Sequence, residues 1–118
     1  MTDIKPFLAE KLGDLAAVGL SFGKTGRKLP ALILTETGNS AEIVLNGRER
    51  VSRITIQIDV YAVSERETEA LAAAVNERLT ETGLRRSFSQ LLTDGDVPRR
   101  CMRFTCGIDE VSGRTVSV

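Results

Sequence analysis

Residues 50–82 contain a strand that leads directly into a capped helix, and this junction constrains the fold more than any other part of the chain. Between Arg53 and Val63, apolar side chains alternate with polar ones, which is the two-residue period of a half-buried β-strand. Ser64 is suited to cap a helix, because its hydroxyl can accept from the amide of Glu67 while the Glu67 carboxylate reaches back to the Ser64 amide. The junction predicts scaffold, so that function would lie in surfaces rather than in a reactive side chain.

The predicted helix after Ser64 has one apolar and one acidic face. Its apolar stripe consists of Leu71, Ala72, Val75 and Leu79, at helical spacing. Gly83 is placed to end the helix in a left-handed conformation, with Leu84 following as the accompanying apolar contact. The charged residues of the outer face are mainly glutamates: Glu65, Glu67, Glu69, Glu77 and Glu81, against Arg66 and Arg78.

The N-terminal segment predicts another amphipathic helix, from about Asp3 to Val18. Thr2 or Asp3 would cap it, Pro6 is tolerated in its first turn, and Gly19 would end it. Its apolar stripe is formed by Ile4, Phe7, Leu8, Leu12 and Leu15. Residues 21–28, rich in Gly and Lys, are expected to form a loop.

The next segment predicts two strands and a hairpin turn. Residues 29–36 have strand character, with Pro30 near the start of the strand or on a sheet edge. A turn is expected at residues 37–40 and a short strand at residues 42–45. Asn46 and Gly47 then favour a tight type I′ turn, which returns the chain into the long strand.

The C-terminal third predicts one clear strand. Residues 85–92 are ambiguous, with Phe88 and Leu91 expected to be buried, and residues 93–98 are expected to form a turn. A strand follows, in which alternate residues from Met102 to Ile108 are apolar. Ser112 and Gly113 favour a last turn, after which residues 114–118 either fold back as a hairpin or reach outward to a partner.

The order helix, strands, helix, strands predicts an α+β fold in a single domain spanning residues 1–118. Short links between neighbouring strands favour a mainly antiparallel sheet of about four strands, with two helices packed on one face as a two-layer sandwich. The other face is expected to be polar enough for water or for a wet subunit interface, since it would present Thr55, Gln57, Asp59 and Tyr61.

The residue inventory argues against catalysis. The chain has no histidine, which removes the commonest general base and the commonest transition-metal ligand. Cys101 and Cys106 lie five apart in a predicted strand, so they are expected to point to opposite faces and to remain free thiols. We therefore predict no enzyme activity, no cofactor and no catalytic residue.

Two short motifs imitate ligand sites without meeting their requirements. Residues 19–25 resemble a nucleotide-binding phosphate loop, but they have one residue too few between the glycines and follow a helix instead of a strand. Asp94-Gly95-Asp96 offers two carboxylates to a cation, yet Asp-Gly is an ordinary turn sequence. We predict a connector and a turn at these positions, and no metal.

Charge and hydropathy narrow the class of partner. Sixteen Lys and Arg balance sixteen Asp and Glu, so no overall field attracts nucleic acid or an anionic membrane. The apolar runs are far shorter than the roughly 20 residues of a membrane-spanning helix, and we expect a cytoplasmic protein. Arginines cluster locally, however, in residues 48–53 and in residues 85–103. They suit either an acidic protein surface, such as the glutamate-rich helix of a neighbouring copy, or nucleic acid, for which one Tyr and no Trp provide little stacking surface.

Several phrases of the chain resemble one protein family. They are the run from Leu29 to Leu34, the Glu36-Thr37-Gly38-Asn39 segment, the Ile56-to-Ala62 strand followed by Ser64, and the closing Arg100-Cys101-Met102-Arg103-Phe104. Across residues 4–110 the sequence resembles the tail terminator, or tail completion, proteins of long-tailed bacteriophages, prophages and gene transfer agents.

The resemblance implies a structural role. Such proteins form a ring, typically hexameric, that caps the head-proximal end of the tail tube, stops tail polymerisation and joins the tail to the head. The implied partners are further copies of the chain, the tail tube protein and the head–tail connector protein, with DNA only as passing cargo and neither membrane nor small-molecule substrate. The implied location is the bacterial host cytoplasm during assembly, and afterwards the tail of the virion or phage-like particle. The alternative is a small nucleic-acid-binding or regulatory interaction domain.

Ring-forming contacts join two different patches of the protomer, and the acidic helix and the basic late segment would suit opposite sides of it. The hairpin that includes residues 36–53 would reach toward tube or connector. The residues predicted to make subunit or partner contacts are Glu36, Asn39, Arg48, Arg50, Arg53, Glu69, Glu77, Arg99, Arg100 and Arg103.

Overall fold

Two helices and six strands make up the part of the chain that the computed structural model describes, residues 3–19 and 29–116. In chain order they are α1 (Lys5–Leu12), β1 (Ala17–Gly19), β2 (Ala31–Leu45), β3 (Arg48–Tyr61), α2 (Glu65–Thr82), β4 (Arg85–Asp94), β5 (Val97–Asp109) and β6 (Thr115–Val116). The fold is α+β, as predicted. The expectation of about four strands is wrong, because the sheet formed by these described residues has six.

The strands form one sheet in the order β1-β2-β3-β5-β4, with β6 added beside β5. All pairings are antiparallel except the short β1–β2 contact, in which Ala17 to Gly19 run parallel to Ala31 to Ile33. The two extra strands at the sheet's margins, β1 and β4, come from segments predicted as the end of a helix and as ambiguous. β1 depends on parallel pairing with β2, and β4 depends on a hairpin with β5, and the residue pattern of neither segment reveals this pairing.

β2 and β3 form one long hairpin. The predicted turn at residues 37–40 is wrong, because β2 continues through it with a register shift between Glu36 and Gly38 that absorbs Thr37 as a bulge. The hydroxyl of Thr37 donates to the carbonyl of Thr55 at 3.3 Å, which ties the bulge to β3. The predicted Asn46-Gly47 turn is confirmed: φ is 53° and 74° at these positions, as a type I′ turn requires.

α1 is shorter than predicted. It ends at Leu12 rather than near Val18, because the chain turns tightly there, with the amide of Leu15 donating to the carbonyl of Leu12 at 2.9 Å. Gly19 consequently ends β1 and not a helix. The cap also differs: Ile4 is the capping residue without a side-chain bond, while the Asp3 carboxylate accepts from the amide of Lys5 at 3.1 Å. Thr2 and the predicted 21–28 loop lie outside the described residues.

Both ends of α2 agree with the prediction. The Ser64 hydroxyl accepts from the amide of Glu67 at 3.2 Å, which is one of the two bonds of the predicted capping box; the return bond from the Ser64 amide to the Glu67 carboxylate does not form in the described structure. At the other end Gly83 has a φ of +104°, and the amide of Leu84 donates to the carbonyl of Leu79 at 3.0 Å. Leu84 is buried, which is the apolar contact expected after a left-handed helix end.

The main core lies between one face of the sheet and both helices. The capping residue Ile4 and Leu8 and Leu12 of α1 belong to the same buried cluster as Ala72, Val75 and Leu79 of α2. Alternate residues on the inner face of β2, β3 and β5 complete this cluster. Phe104 is fully buried in this cluster and is its largest side chain. Because the strand residues in the cluster alternate along the chain, the two-residue period of β3 and β5 is confirmed.

The opposite face, called the outer sheet face below, is less open to water than predicted. Asp59 and Tyr61 are each only 5% exposed, so their expected exposure is wrong. Tyr61 packs with Ala31 and Ile33 in a second small cluster, and Asp59 lies between Ile33 of β2 and Cys101 of β5. At this end of the outer sheet face, side chains of the neighbouring strands, and not a helix, shield Asp59 and Tyr61 from water.

β4 corrects another expectation. Phe88 is 37% exposed rather than buried, because β4 is the last strand of the sheet and Phe88 lies on the outer sheet face. Leu91 is half-buried. The predicted 93–98 turn is narrower, since Gly95 (φ +66°) and Asp96 alone connect β4 to β5.

The C-terminal segment folds back on β5. Val116 pairs with Gly107 and Thr115 with Ile108, after a turn that includes Gly113 at a φ of +73°. Of the two alternatives, the hairpin is therefore the one that occurs through residue 116, and residues 117–118 lie outside the described part.

Candidate functional site

Among the residues that the structure describes, the longest exposed segment is the end of the β2–β3 hairpin; residues 41–50 of this segment are called the hairpin arm below. The pairing of β3 with β5 ends at Val51 and Asp109, so the arm extends past the rest of the sheet. Every residue of the arm is exposed. The longest dimension of the molecule, 51 Å, is more than twice the other two, which are 23 Å.

The β2 side of the arm's tip is apolar, whereas Arg48 and Glu49 of β3 lie opposite Leu45 and Val44. Ile43, Val44 and Leu45 are 47%, 53% and 56% exposed, and they are consecutive residues immediately before the Asn46-Gly47 turn. An isolated two-stranded hairpin in water is at best marginally stable, and solvent-facing apolar residues in succession do not stabilise it. Such a tip is typical of a contact surface.

Five of the predicted contact residues lie along this one hairpin. Arg48 and Arg50 are on the arm itself and are exposed. Glu36 and Asn39 are lower on β2, where the Asn39 side-chain amide donates to the Glu36 carboxylate at 3.2 Å.

Arg53 is at the base of the arm. Its Nε and Nη2 donate to the two carboxylate oxygens of Glu42, at 3.2 and 3.1 Å. This fork joins β3 to β2 at the base of the arm.

The central part of the outer sheet face is polar and bonded within itself. The Arg103 guanidinium donates to the Gln57 side-chain oxygen at 3.3 Å and stacks over the Phe88 ring, 4.9 Å from the ring centre. The hydroxyls of Thr55 and Thr105 face each other at 3.4 Å across β3 and β5. Here the prediction of a polar face holds.

Arg99 lies at the buried end of the outer sheet face, beside Asp59. Its Nη1 is 3.7 Å from Asp59 Oδ1, and the Gln57 side-chain amide donates to Asp59 Oδ2 at 3.1 Å. The charge of this nearly buried carboxylate is therefore balanced inside the protomer. In addition to any role at an external surface, Arg99 thus balances the charge of Asp59 within the sheet.

A polar groove lies between α2 and the β4–β5 margin of the sheet, with a volume of about 420 Å³. Arg100 crosses it: its Nε and Nη2 donate to Glu69 at 2.7–3.0 Å, and its Nη1 donates to the Ser89 hydroxyl at 3.1 Å. Arg86 and Asn76 also line the groove. The placement of the acidic helix and the basic segment on opposite sides of the protomer is thus wrong at this end, because α2 packs directly over β5.

Glu77 lies about two helical turns beyond Glu69 on α2 and is exposed. Its neighbour Arg78 donates to both Asp14 carboxylate oxygens, at 2.8 and 3.3 Å, and to the Lys11 carbonyl at 2.8 Å. This hydrogen bonding lowers the pKa of Asp14. The contact holds the end of α1 against α2.

The two cysteines are free, as predicted, and lie on opposite faces of the sheet. Cys106 pairs with Ile54 of β3, and Cys101 pairs with Asp59. Both cysteines are buried. Burial raises the pKa of Cys106 to about 11, and burial together with the Asp59 carboxylate raises the pKa of Cys101. Near neutral pH both sulfurs are protonated, which is the unreactive form.

The described residues contain no cluster of three or more His, Cys, Asp or Glu side chains able to hold a metal ion. Within the same residues, neither helix is both long and apolar enough to cross a membrane.

Sequence reasoning missed the polar contacts that join distant segments. The Ser52 hydroxyl donates to Glu110 at 2.6 Å across 58 residues, and Arg100 binds Glu69 across 31. The sequence contained only a hint of the second contact: arginines in residues 85–103 and glutamates in α2 suggested that the two segments pair. It did not indicate that this pairing occurs inside one protomer.

No protein-family model matches this sequence, and no curated protein matches it either. The function must therefore be inferred from the surfaces described above.

Proposed function

We propose that the protein is a structural component of a phage tail or phage-like particle, which assembles as a ring, caps the head-proximal end of the tail tube and joins the tail to the head. The observation that carries this proposal is the hairpin arm with its apolar tip, since a projecting apolar element on a small domain is suited to docking on another protein. The resemblance of residues 4–110 to tail terminators supplies the kind of assembly.

The remaining polar chemistry is compatible with a structural role. Arg100 and Arg103, which sequence reasoning considered for nucleic acid, are engaged by Glu69, Ser89 and Gln57. Such internal bonds make these arginines part of the sheet's own support. A protein whose function lies in assembly needs stable surfaces rather than a reactive centre.

The ring is tested on the purified protein. We expect multi-angle light scattering to give a closed oligomer, hexameric by the resemblance, and negative-stain images to show rings with a central opening. A monomer at all accessible concentrations would refute the proposal. Filter binding to duplex DNA at two salt concentrations tests the alternative, because phosphate contacts would produce strong, salt-dependent binding.

The arm is tested by making its tip polar. Each of Ile43, Val44 and Leu45 has about half of its surface left to bury, so each would contribute about 1 kcal/mol to a docked contact. Replacing all three with serine should weaken docking about 100-fold. Particles carrying this variant should contain rings but no joined heads and tails.

The matched control replaces exposed apolar residues away from the arm. Val63 and Val111 are 70% and 69% exposed, and serine at both positions should leave folding and particle yield unchanged. Normal infectious particles from the arm variant would show that the tip makes no essential contact.

A further inference from the structure

The sheet ends in two long strand edges that differ from each other. β4 is the last strand on one side, and its outer edge has no strand partner within the described residues. On the other side β1 covers only Ala31 to Ile33, so that from Leu34 to Leu45 the outer edge of β2 is also without a strand partner among those residues. Unpaired amide and carbonyl groups along such edges are ready to pair with another chain.

From the directions of these strands, we infer that copies of the chain join by antiparallel pairing of β4 in one protomer with the open part of β2, residues 34–45, in the next. This inference rests on the proposed ring and describes how it closes. β2, β3, β5 and β4 are successively antiparallel, so β2 and β4 run in opposite directions. Rotation about a ring axis roughly along the strands preserves those directions, and β4 meets the next β2 antiparallel.

Such a contact uses two different patches, which is the requirement for a ring rather than a two-fold dimer. The two edges are also opposite in charge. β4 begins with Arg85 and Arg86, for which the described residues provide no ion pair. The open part of β2 carries Glu36 and also Glu42, which is paired with Arg53 of its own protomer. Glu36 is bonded to the neutral amide of Asn39, and its charge is thus available to a neighbouring copy.

The heights of the two edges give the stagger between copies. Through the pairing of the intervening strands, Arg85 is level with Gly38 and Leu92 is level with Ala31. To reach β2 beyond β1, β4 must shift toward the arm by about three to five residues, or about 10–17 Å. This shift brings Arg85 to the height of Glu42.

The stagger corresponds to a reasonable strand tilt. A shift of about 10–17 Å over four strand spacings, or about 19 Å, tilts the strands by about 30–40° from the ring axis. Closed barrels have tilts of about 35–45°. The inferred contact therefore closes the sheets into a continuous ring without bending the strands.

The test is disulfide cross-linking between the two edges. With this stagger, Gln90 lies opposite residues 36–38 of the next copy, and both Gln90 and Thr37 are exposed. The double variant Gln90→Cys, Thr37→Cys should give, on oxidation, a ladder of covalent oligomers on a non-reducing gel. Gln90→Cys combined with Thr35→Cys or Asn39→Cys covers the neighbouring registers.

A bond within one copy is excluded by geometry, since the two edges are three strand spacings, about 14 Å, apart and a disulfide needs a Cα separation below about 7 Å. Each single variant should remain monomeric on the gel, as should wild type, in which Cys101 and Cys106 are buried. Gln90→Cys with Val63→Cys is the matched control and should form no ladder.

The outcomes separate this inference from the proposed function. Rings in negative stain without a ladder in any of the three double variants would overturn the edge pairing and leave the ring standing. Covalent dimers from Gln90→Cys alone would show that β4 pairs with itself across a two-fold axis, which also overturns it. An absence of rings in wild type would overturn the proposed function, and the edge pairing with it.

Discussion

The contact between Glu69 and Arg100 determines whether the acidic helix and the basic segment interact within a protomer or between protomers. The sequence pattern suggested a pairing between copies, whereas the structure joins the two side chains inside one copy through three hydrogen bonds of 2.7–3.0 Å. We therefore predict a measurable coupling between Glu69→Gln and Arg100→Met that does not depend on protein concentration.

The magnitude follows from exposure and geometry. The Arg100 side chain is 21% exposed and that of Glu69 is 43% exposed, so solvent screens the pair and the Coulomb energy is strongly reduced. The bidentate geometry and the additional bond to Ser89 place it near the upper end for such pairs, at a coupling energy of about 1 kcal/mol. With a urea m value of about 1–3 kcal/mol per molar, this corresponds to a midpoint difference of about 0.3–1 M.

The assay is a double-mutant cycle in urea, with wild type, both single variants and the double variant at two protein concentrations tenfold apart. Coupling of about 1 kcal/mol at both concentrations agrees with a contact inside the protomer. Coupling near zero would refute the reasoning. Coupling that grows with concentration would return the pair to the interface between copies.

Three further predictions concern the core, the end of α2 and a thiol. Phe104→Ala should lower the free energy of unfolding by about 3–5 kcal/mol, since the ring is fully buried. Phe88→Ala, at a partly exposed ring, should lower it by less than about 2 kcal/mol. Equal losses in chemical denaturation would contradict the described core. Gly83→Ala should cost about 1–2 kcal/mol because of its φ of +104° and an added Cβ only 3.2 Å from Thr115 Oγ1; an unchanged melting temperature would contradict it. The pKa of Cys106 is raised from 9.0 to about 11, so the native state holds the thiol proton more tightly than the unfolded state does, and stability should fall as pH rises from about 9 to 11. Cys106→Ala should flatten that decline. An identical pH profile of the variant and wild type would contradict the raised pKa of Cys106.

The features that could be predicted from the sequence are those set by neighbouring residues. The cap at Ser64, the left-handed Gly83 and the Asn46-Gly47 turn each depend on a few adjacent side chains, and all three agree with prediction. The alternation in β3 and β5 is equally local. Such signals survive in any tertiary context because their bonds close within a few residues.

The features that could not be predicted depend on register or on distant partners. α1 ends early where Asp14 meets Arg78, which is 64 residues away, and β1 exists only by pairing with β2. The burial of Asp59 follows from its neighbours Ile33 and Cys101, which no periodicity identifies. Of the candidate site, the placement of Glu36, Asn39, Arg48, Arg50 and Arg53 along one hairpin was accessible from the sequence, whereas the exposure of the apolar residues Ile43, Val44 and Leu45 was not.

The type I′ turn at the end of the arm also has a consequence for the order of folding. β2 and β3 are joined by two residues, so their hairpin closes by local contacts on a timescale of about 1–10 μs. β5 reaches β3 only after α2 and β4 have been bridged, and the Ser52–Glu110 bond spans 58 residues. We expect the hairpin to form early and the β3–β5 ladder to limit the rate, so that the element suited to docking is also the template on which the rest of the sheet assembles.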